Sequence, residues 1–330
     1  MKYQVIESFI LQNNNDYSFD DIALELFRYH YFENPVYAQF CKALHVDIES
    51  VTTIEKIPFL PISFFKNHIV VPQNLNTALI FESSGTSGTD TSTHHVAYPE
   101  LYELSFKQNF HHVFGDLKDF SIYALLPSYL ERTNSSLVYM AEKLINQTTD
   151  NHNNFFLYDF ERLQQKLKEN KQRRKKTILL GVSFALLDFA DAYGFHFPEL
   201  TIVETGGMKG RREEITRQEL HSKLISAFGI SRIHSEYGMT ELLSQAWSTG
   251  DGRFVCPHWM RVLIRDINDP FSFVESGKSG GINVIDLANA FSCPFIATDD
   301  LGKLYADSSF EVLGRADYSA IRGCNTMIDN

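Results

Sequence analysis

The chain has 330 residues, 44% of them hydrophobic and 22% charged, which is enough for a large folded domain and argues against disorder. Its formal net charge of −11 argues against non-specific nucleic-acid binding, which needs a basic surface. No apolar run approaches the roughly 20 residues that span a bilayer, no signal peptide is evident, and four widely spaced cysteines favour a cytoplasmic protein without stable membrane insertion.

The first 80 residues are predicted to be mainly helical. Apolar residues recur at helical spacing in Asp21–Tyr31, and Pro35 is expected to end this helix. Ile57–Pro61 is predicted to be extended, because residues that precede proline avoid the helical region. The strand-like Leu79–Phe81 then leads into a stretch of small polar residues.

From residue 121 onwards, short strand-like runs alternate with longer helical runs. The predicted strands are Ser121–Leu126, Thr177–Val182, Thr201–Val203, Ser231–Ser235, Arg261–Ile264, Ile282–Leu287, Pro294–Thr298 and Phe310–Leu313, and the predicted helices are Ser135–Leu144 and Arg212–Phe228. This alternation predicts an α/β protein with helix-covered sheets. We divide the chain into a helical part, an α/β core and a β-rich part, at residues 1–80, 81–255 and 256–330. The basic run Lys166–Lys176 is expected to be a solvated helix face, with docking to an acidic partner as the alternative.

Residues 83–89 read SSGTSGT and are called the phosphate loop below. Glycines let a backbone approach a ligand closely, and the amide and hydroxyl groups offer donors to an anion. The loop follows a predicted strand but lacks the Gly-Lys-Ser/Thr of a Walker motif. The pattern therefore favours phosphate binding, with a plain surface loop as the alternative.

Three further motifs follow in the chain. Residues 234–241 read HSEYGMTE, residues 297–302 read ATDDLG, and residues 314–317 read GRAD, with IRG at 321–323. This inventory suits a nucleotide, since an aromatic ring stacks on a base, an aspartate binds ribose hydroxyls, and a glutamate supplies the oxygen that Mg²⁺ prefers.

Together the four motifs resemble those of the adenylate-forming superfamily of acyl-CoA synthetases, adenylation domains and luciferases, in the same order and over about residues 80–323. Within it the chain is most similar to the acyl-protein synthetases of the bacterial bioluminescence fatty-acid reductase complex (LuxE-like), and more distantly to phenylacetate–CoA ligases. The sequences LPSY at 126–129 and IRGCN at 321–325 carry this closer resemblance. It implies the large N-terminal domain of the superfamily, with two helix-covered β-sheets and a small β-rich subdomain. The chain stops seven residues after Gly323, so the usual mobile C-terminal domain and its lysine are expected to be missing.

The resemblance also implies a reaction. A carboxylic acid, expected to be fatty or otherwise apolar, attacks the α-phosphate of ATP in the presence of Mg²⁺, and pyrophosphate leaves. The acyl group of the resulting acyl-adenylate then passes to a protein thiol and on to a partner protein such as a reductase.

Site residues are implied one by one by the same match. Those expected to hold the nucleotide are Ser84, Gly85, Thr86, Ser87, Gly88, Thr89, Gly206, Gly207, Tyr237, Gly238, Asp300 and Arg315. Thr240 matches the α-phosphate contact and Glu241 the Mg²⁺ ligand. Lys209 or Arg211 would replace the missing lysine, and Cys324 is the expected acyl acceptor.

Four alternatives remain open on the sequence. The first is transfer of the acyl group to coenzyme A or a carrier protein, and the second is a nucleotide-binding scaffold without catalysis. Cys256 and His258, with Cys293, offer zinc ligands, although no fourth ligand is evident. His94 and His95 lie just past the phosphate loop and either reach the ligand or begin a helix.

Overall fold

One large sheet organises the computed structural model, which describes residues 2–12, 17–83, 91–127, 134–150, 154–206 and 215–315. The helices are α1 Tyr3–Ile10, α2 Phe19–Glu33, α3 Pro35–Ala43, α4 Phe64–Asn67, α5 Pro99–Phe114, α6 Ser136–Ile145, α7 Phe160–Arg173, α8 Ser183–Tyr193 and α9 Arg217–Phe228. The strands are β1 Leu60–Pro61, β2 Leu79–Glu82, β3 Thr93–Val96, β4 Phe120–Leu125, β5 Phe155–Phe156, β6 Lys176–Val182, β7 Leu200–Thr205, β8 His234–Tyr237, β9 Ala246–Ser248, β10 Phe254–Val255, β11 Met260–Arg265, β12 Ser279–Asp286, β13 Phe295–Leu304 and β14 Phe310–Arg315.

Local sequence signals set the N-terminal helices. Ser18 caps α2 with a capping box, in which its hydroxyl accepts the amide of Asp21 at 3.2 Å and the Asp21 carboxylate accepts the Ser18 amide at 3.0 Å. Asn34 follows α2, and Pro35 opens α3 at a position where a missing amide hydrogen costs nothing. The proline therefore ends one helix, as expected, and begins the next.

The large sheet has a parallel half and a mainly antiparallel half. In its described part the strand order is β11-β12-β13-β14-β10-β9-β8-β7-β6-β4-β5, with β1 paired in parallel to β13. Strands β5, β4, β6, β7 and β8 run parallel to one another, and β4 is buried throughout. Antiparallel pairing of β8 with β9 continues the same sheet into the second half. Ligands of open α/β sheets bind at the carboxyl ends of parallel strands, which directs attention to the ends of β7 and β8.

A separate two-stranded sheet carries the phosphate loop. Strands β2 and β3 pair antiparallel, from Leu79 opposite Val96 to Glu82 opposite Thr93. The phosphate loop is the connection of this hairpin, and its residues from Ser84 onwards lie outside the described residues. Ser83 and Ser92, which are described on either side of this connection, are neighbours at one end of the hairpin.

The structure confirms the α/β class, with the strands joined into one continuous sheet beside the hairpin. Two predicted starts were wrong. The strand expected at Ser231–Ser235 begins at His234, where pairing with Val203 of β7 starts, and the helix expected at Arg212–Phe228 begins at Arg217, after its cap Thr216. The structure confirms that the basic run Lys166–Lys176 is mainly a solvated helix face. Leu167 and Asn170 are buried, while most of the charged side chains of the run are exposed. No helix among the described residues is both long and apolar enough to cross a bilayer.

Candidate active site

Glycines shape the carboxyl ends of β7 and β8. Gly206 follows β7 with φ of +68°, a conformation that side chains rarely adopt, and its carbonyl accepts the Ser183 hydroxyl at 3.0 Å. At Gly238 a Cβ atom would lie 2.3 Å from Oε1 of Glu236, so any larger residue would displace that carboxyl. Both positions are predicted to line the ligand pocket. Gly206 is needed for its backbone conformation, and Gly238 is needed because the Glu236 carboxyl occupies the space of a side chain.

Three predicted nucleotide-binding residues meet beside this edge. The Tyr237 hydroxyl donates to Oδ2 of Asp300 at 2.9 Å, and Nε of Arg315 lies 3.6 Å from Oδ1 of the same carboxylate. The register of β13 on β14, which sets Asp300 directly opposite Arg315, brings the last two together. The Asp300 side chain is only 14% exposed while that of Arg315 is 84% exposed, so the guanidinium remains available to a ligand.

The ring of Tyr237 is largely covered. It packs against Phe310 and Phe254, with centroid distances of 5.4 and 5.9 Å, and only 8% of the residue is exposed. These contacts and the bond to Asp300 fix the ring in one orientation. Stacking of Tyr237 on a base stays a prediction.

The Thr240–Glu241 segment contacts the base of the phosphate loop. The Ser92 hydroxyl donates to Oε1 of Glu241, and Ser92 itself pairs with Ser83 across the hairpin. The Ser83 amide donates to the Ser92 carbonyl at 3.0 Å, and the Ser92 amide donates to the Ser83 hydroxyl at 2.9 Å. The hairpin thus places Ser92, and with it Ser83 at the start of the phosphate loop, close to the carboxylate expected to bind Mg²⁺.

The Glu241 carboxyl is electrostatically poised for a cation. It is 6% exposed, and burial raises its pKa above the usual value. Arg315 on β14 lowers the pKa of Glu241, and Asp299 on β13 raises it. Charged residues of these two strands therefore also influence this carboxyl. A buried carboxylate with little neighbouring positive charge gains most when a cation binds.

The oxygen atoms near Glu241 suit a Mg²⁺ ion whose remaining contacts come from the phosphates of a bound substrate. No group of three or more His, Cys, Asp or Glu side chains suited to a metal occurs among the described residues. Mg²⁺ is commonly bound by one or two carboxylates together with substrate phosphates, and hydroxyl and carboxylate oxygens suit it. Glu241 beside a phosphate loop meets that description.

The family model of the acyl-protein synthetases, LuxE, matches residues 9–330. The chain belongs to this family. A relative from Aliivibrio fischeri, named long-chain-fatty-acid–luciferin-component ligase, is 24% identical over 94% of this chain and 88% of its own length. A protein of the same name from Vibrio harveyi is 26% identical over 90% of this chain and 84% of its own length.

Solved structures place this LuxE-family chain in the adenylate-forming fold. A 2-hydroxyisobutyryl-CoA ligase in complex with 2-HIB-AMP and CoA matches with a TM-score of 0.67 and 12% identity, over 90% of this chain and 69% of that one. ATP-bound MatB from Rhodopseudomonas palustris matches with a TM-score of 0.54 and 17% identity, over 72% of this chain. The match spans 48% of MatB, about half its length. At these identities the likeness concerns the fold, and with the family match it makes the chain an adenylate-forming ligase.

Several predicted residues of this acyl-protein synthetase lie outside the described residues. They are Ser84, Gly85, Thr86, Ser87, Gly88, Thr89, Gly207, Lys209, Arg211 and Cys324. Their roles therefore stay predictions. Gly206 is the described residue that immediately precedes this part of the sequence, which includes Lys209.

The zinc alternative has no support from the described contacts. Nε2 of His258 lies 2.8 Å from the carbonyl of Phe9, and the Cys293 thiol donates to the carbonyl of Phe295 at 3.6 Å. Burial raises the pKa of Cys256 and of Cys293 to about 12, which disfavours the thiolate that binds zinc. Cys293 is part of the buried core, whereas His258 is exposed and bonds to the N-terminal helix region through Phe9.

Sequence reasoning missed Glu236, Ser92 and Asn289. Glu236 accepts a hydrogen bond from the Thr205 hydroxyl at the sheet edge, and burial raises its pKa to about 7. Ser92 is one of several hydroxyl residues after the loop, and nothing in the sequence marks it as the partner of a residue 149 positions away. His94, left open between two roles, lies on β3 and not at a helix entry, and it bonds to Thr240.

Proposed function

We propose that this protein activates a long-chain fatty acid, or a similar apolar carboxylic acid, with ATP and then passes the acyl group to a protein thiol. The observation that carries the proposal is the meeting of separate motifs at one sheet edge: Tyr237, Asp300 and Arg315 on one side, and Glu241 with the hairpin of the phosphate loop on the other. The names of the two bacterial relatives support the fatty acid as substrate.

The first step forms a bond between a carboxylate oxygen and the α-phosphorus of ATP, while the bond from that phosphorus to pyrophosphate breaks. Asp300 and Arg315 would hold the ribose, and Tyr237 would contact the base. Thr240 would contact the α-phosphate, so the acid and ATP are held in line. Bound Mg²⁺ would neutralise charge on the phosphate oxygens, and Glu241 would hold it there.

Extra positive charge at the α-phosphate would come from Lys209 or Arg211. Both follow in sequence shortly after Gly206, which is the described residue at the carboxyl end of β7. Cations aimed at the developing negative charge stabilise the transition state more than the ground state. We propose this role for Lys209 first, since it lies closer to Gly206 in sequence.

In the second step a thiolate attacks the acyl carbonyl, a thioester forms and AMP leaves with the oxygen that joined it to the acyl group. We propose Cys324 as this thiol, followed by transfer to an acceptor protein such as a reductase. Coenzyme A or a carrier protein as the acceptor is the second candidate, favoured only by the fold of the 2-hydroxyisobutyryl-CoA ligase.

Pyrophosphate exchange tests the first step. The purified protein is incubated with ATP, Mg²⁺ and labelled pyrophosphate, over a panel of fatty, aromatic and amino acids. We expect labelled ATP only when a fatty acid is present. Protein that binds ATP but exchanges label with no acid would support the inactive scaffold and contradict the proposal.

Labelled fatty acid tests the second step. With ATP present, the wild-type chain and a Cys256→Ser control should retain label that neutral hydroxylamine releases, as expected of a thioester. Cys324→Ser should retain less than a tenth of it, while its pyrophosphate exchange stays unchanged. Equal labelling of Cys324→Ser would place the acyl group elsewhere, and labelling of added coenzyme A alone would favour the second candidate.

A further inference from the structure

The phosphate-loop hairpin is tied to the Thr240–Glu241 backbone by a histidine that the proposed reaction does not use. His94 lies on β3, is fully buried and meets the ring of Phe65 edge-on at 5.7 Å. Its Nδ1 is 2.8 Å from the carbonyl oxygen of Thr240, and its Nε2 is 3.1 Å from Oδ1 of Asn289. A ring with both nitrogens in contact and no exposed surface has a single orientation.

Asn289 extends the connection to Glu241. Its side-chain amide nitrogen donates to the carbonyl of Glu241 at 2.8 Å and to the carbonyl of Cys293 at 2.9 Å. Because carbonyls only accept, these bonds fix the amide with its nitrogen towards them and its oxygen towards His94. His94 and Asn289 therefore hold the carbonyls of two consecutive residues, Thr240 and Glu241.

We propose that His94, acting through its Nδ1–H bond to Thr240, is a positioning residue that sets the Glu241 carboxylate relative to the β2–β3 hairpin. The inference rests on the proposed function, in which Glu241 holds Mg²⁺ beside ATP. Ser92, two residues earlier and directly before β3, donates to the Glu241 side chain. This short stretch of chain thus holds both the backbone and the carboxylate of the segment proposed to bind Mg²⁺.

The proton position follows from the partners of the ring. Burial lowers the pKa of His94 to about 4, so the ring carries one proton at neutral pH. Both contacting atoms are acceptors, and the carbonyl of Thr240 is the nearer at 2.8 Å. The proton accordingly belongs on Nδ1, and the contact with Thr240 is the one that holds the segment.

Two substitutions separate the two ring nitrogens. In His94→Asn the side-chain amide reaches the position of Nδ1, so the bond to Thr240 is retained. In His94→Gln the longer side chain reaches the position of Nε2 and the bond to Thr240 is lost. His95→Gln, on the opposite side of the same strand, is the matched control, since His95 contacts only Thr77 by a hydrogen bond among the described residues.

The readout is the Mg²⁺ dependence of ATP binding by calorimetry, with pyrophosphate exchange measured in parallel. We expect His94→Gln to raise the Mg²⁺ concentration for half-maximal binding about tenfold or more, the effect typical of losing a group that orients a metal ligand. His94→Asn and His95→Gln should stay within about threefold of the wild type. Equal behaviour of the Asn and Gln variants, or a wild-type value for His94→Gln, would overturn the inference.

A measurement on the wild type keeps the inference testable if a variant does not fold. The nitrogen-15 NMR shifts of His94 should show a protonated Nδ1 and an unprotonated Nε2. A proton on Nε2 would contradict the bond to Thr240. Wild-type protein that binds ATP with no dependence on Mg²⁺ would instead count against the proposed function, so the two failures are distinguishable.

Discussion

At the scale of single residues, the site consists of carboxyl groups buried with little compensating charge. Burial raises the pKa of Glu241 and of Asp300, and in both cases Arg315 opposes the rise. Burying a carboxylate without a full partner costs free energy, and such groups occur where a ligand or metal completes them. We therefore interpret the two carboxyls as the places where Mg²⁺ and ribose bind.

Replacing Glu241 by Gln tests the metal role. The amide still accepts the Ser92 hydroxyl but has no charge, so packing is preserved while cation binding is lost. We expect pyrophosphate exchange to fall about 100-fold, since a bound metal contributes several kcal/mol of charge stabilisation and each 1.4 kcal/mol is tenfold in rate. The midpoint of thermal unfolding should not decrease. Exchange within threefold of wild type would exclude Glu241 as the metal ligand.

Replacing Asp300 by Asn tests the ribose role. The amide oxygen still accepts the Tyr237 hydroxyl, but the ion pair with Arg315 and the acceptor for a second hydroxyl are lost. We expect the KM for ATP to rise about tenfold with a smaller change in kcat. Asp299→Asn, at the exposed neighbouring position, is the control and should leave the KM for ATP unchanged. The reverse result would assign the contact to Asp299.

The site residues that stand in short motifs were predictable from the sequence. The residues that hold them in place through hydrogen bonds were not. Tyr237, Asp300 and Arg315 were predicted from the sequence, and the structure brings them together. His94 and Asn289 are 195 positions apart, and neither stands in a motif. Their pairing is set by how the hairpin packs on the large sheet, which no local pattern encodes.

At the scale of elements, the ends of β7 and β8 form an acidic edge. Glu204 and Thr205 end β7, Glu236 lies on β8, and the register pairs Thr205 with Glu236. Glu204 is joined by Arg217 and His221, each at 3.6 Å, while the Glu236 carboxyl has the Thr205 hydroxyl as its described hydrogen-bond partner. Burial, together with the nearby Glu204 carboxylate, raises the pKa of Glu236 to about 7.

The stability of the fold should therefore depend on pH through Glu236. In the unfolded chain this carboxyl ionises near its ordinary pKa of 4.5, whereas in the folded protein it does so near 7. The unfolded state loses the proton first as pH rises, so the carboxyl destabilises the fold progressively from pH 4.5 to 7 and fully above 7. We expect Glu236→Gln to be more stable than wild type by about 3 kcal/mol at pH 8 and no more stable at pH 4.5.

Denaturant unfolding at several pH values measures this difference. Glu275→Gln, whose side chain is 83% exposed, is the matched control and should show no such trend. A constant stability difference between wild type and Glu236→Gln across this range would show that the carboxyl does not titrate there.

Element types were largely predictable because their signals are local. Buried apolar runs identified β4 and β6, and helical spacing identified α2. The start of β8 was not predictable, because Ile233 has the apolar character of a strand residue although the pairing with β7 begins only at His234. Pairing partners, not composition, set that boundary.

At the scale of the whole molecule, the continuous sheet joins two sources of site residues. The parallel half supplies Gly206 and Tyr237 at its strand ends, and the antiparallel half supplies Asp300 and Arg315 from β13 and β14. The hairpin of the phosphate loop packs against the junction through Ser92 and His94. The α/β class followed from the alternation of helices and strands, but the continuity of the sheet depends on long-range pairing of β8 with β9 and β10 with β14.

The central claim is that a carboxylate oxygen attacks the α-phosphate of ATP, and oxygen labelling tests it most directly. The protein is incubated with ATP, Mg²⁺ and a long-chain fatty acid whose two carboxylate oxygens are both ¹⁸O. The masses of the products are then measured by mass spectrometry. The account predicts AMP that carries one ¹⁸O atom, since the bridging oxygen of the acyl-adenylate leaves with the phosphate. Unlabelled AMP, or ADP together with ¹⁸O in inorganic phosphate, would contradict it.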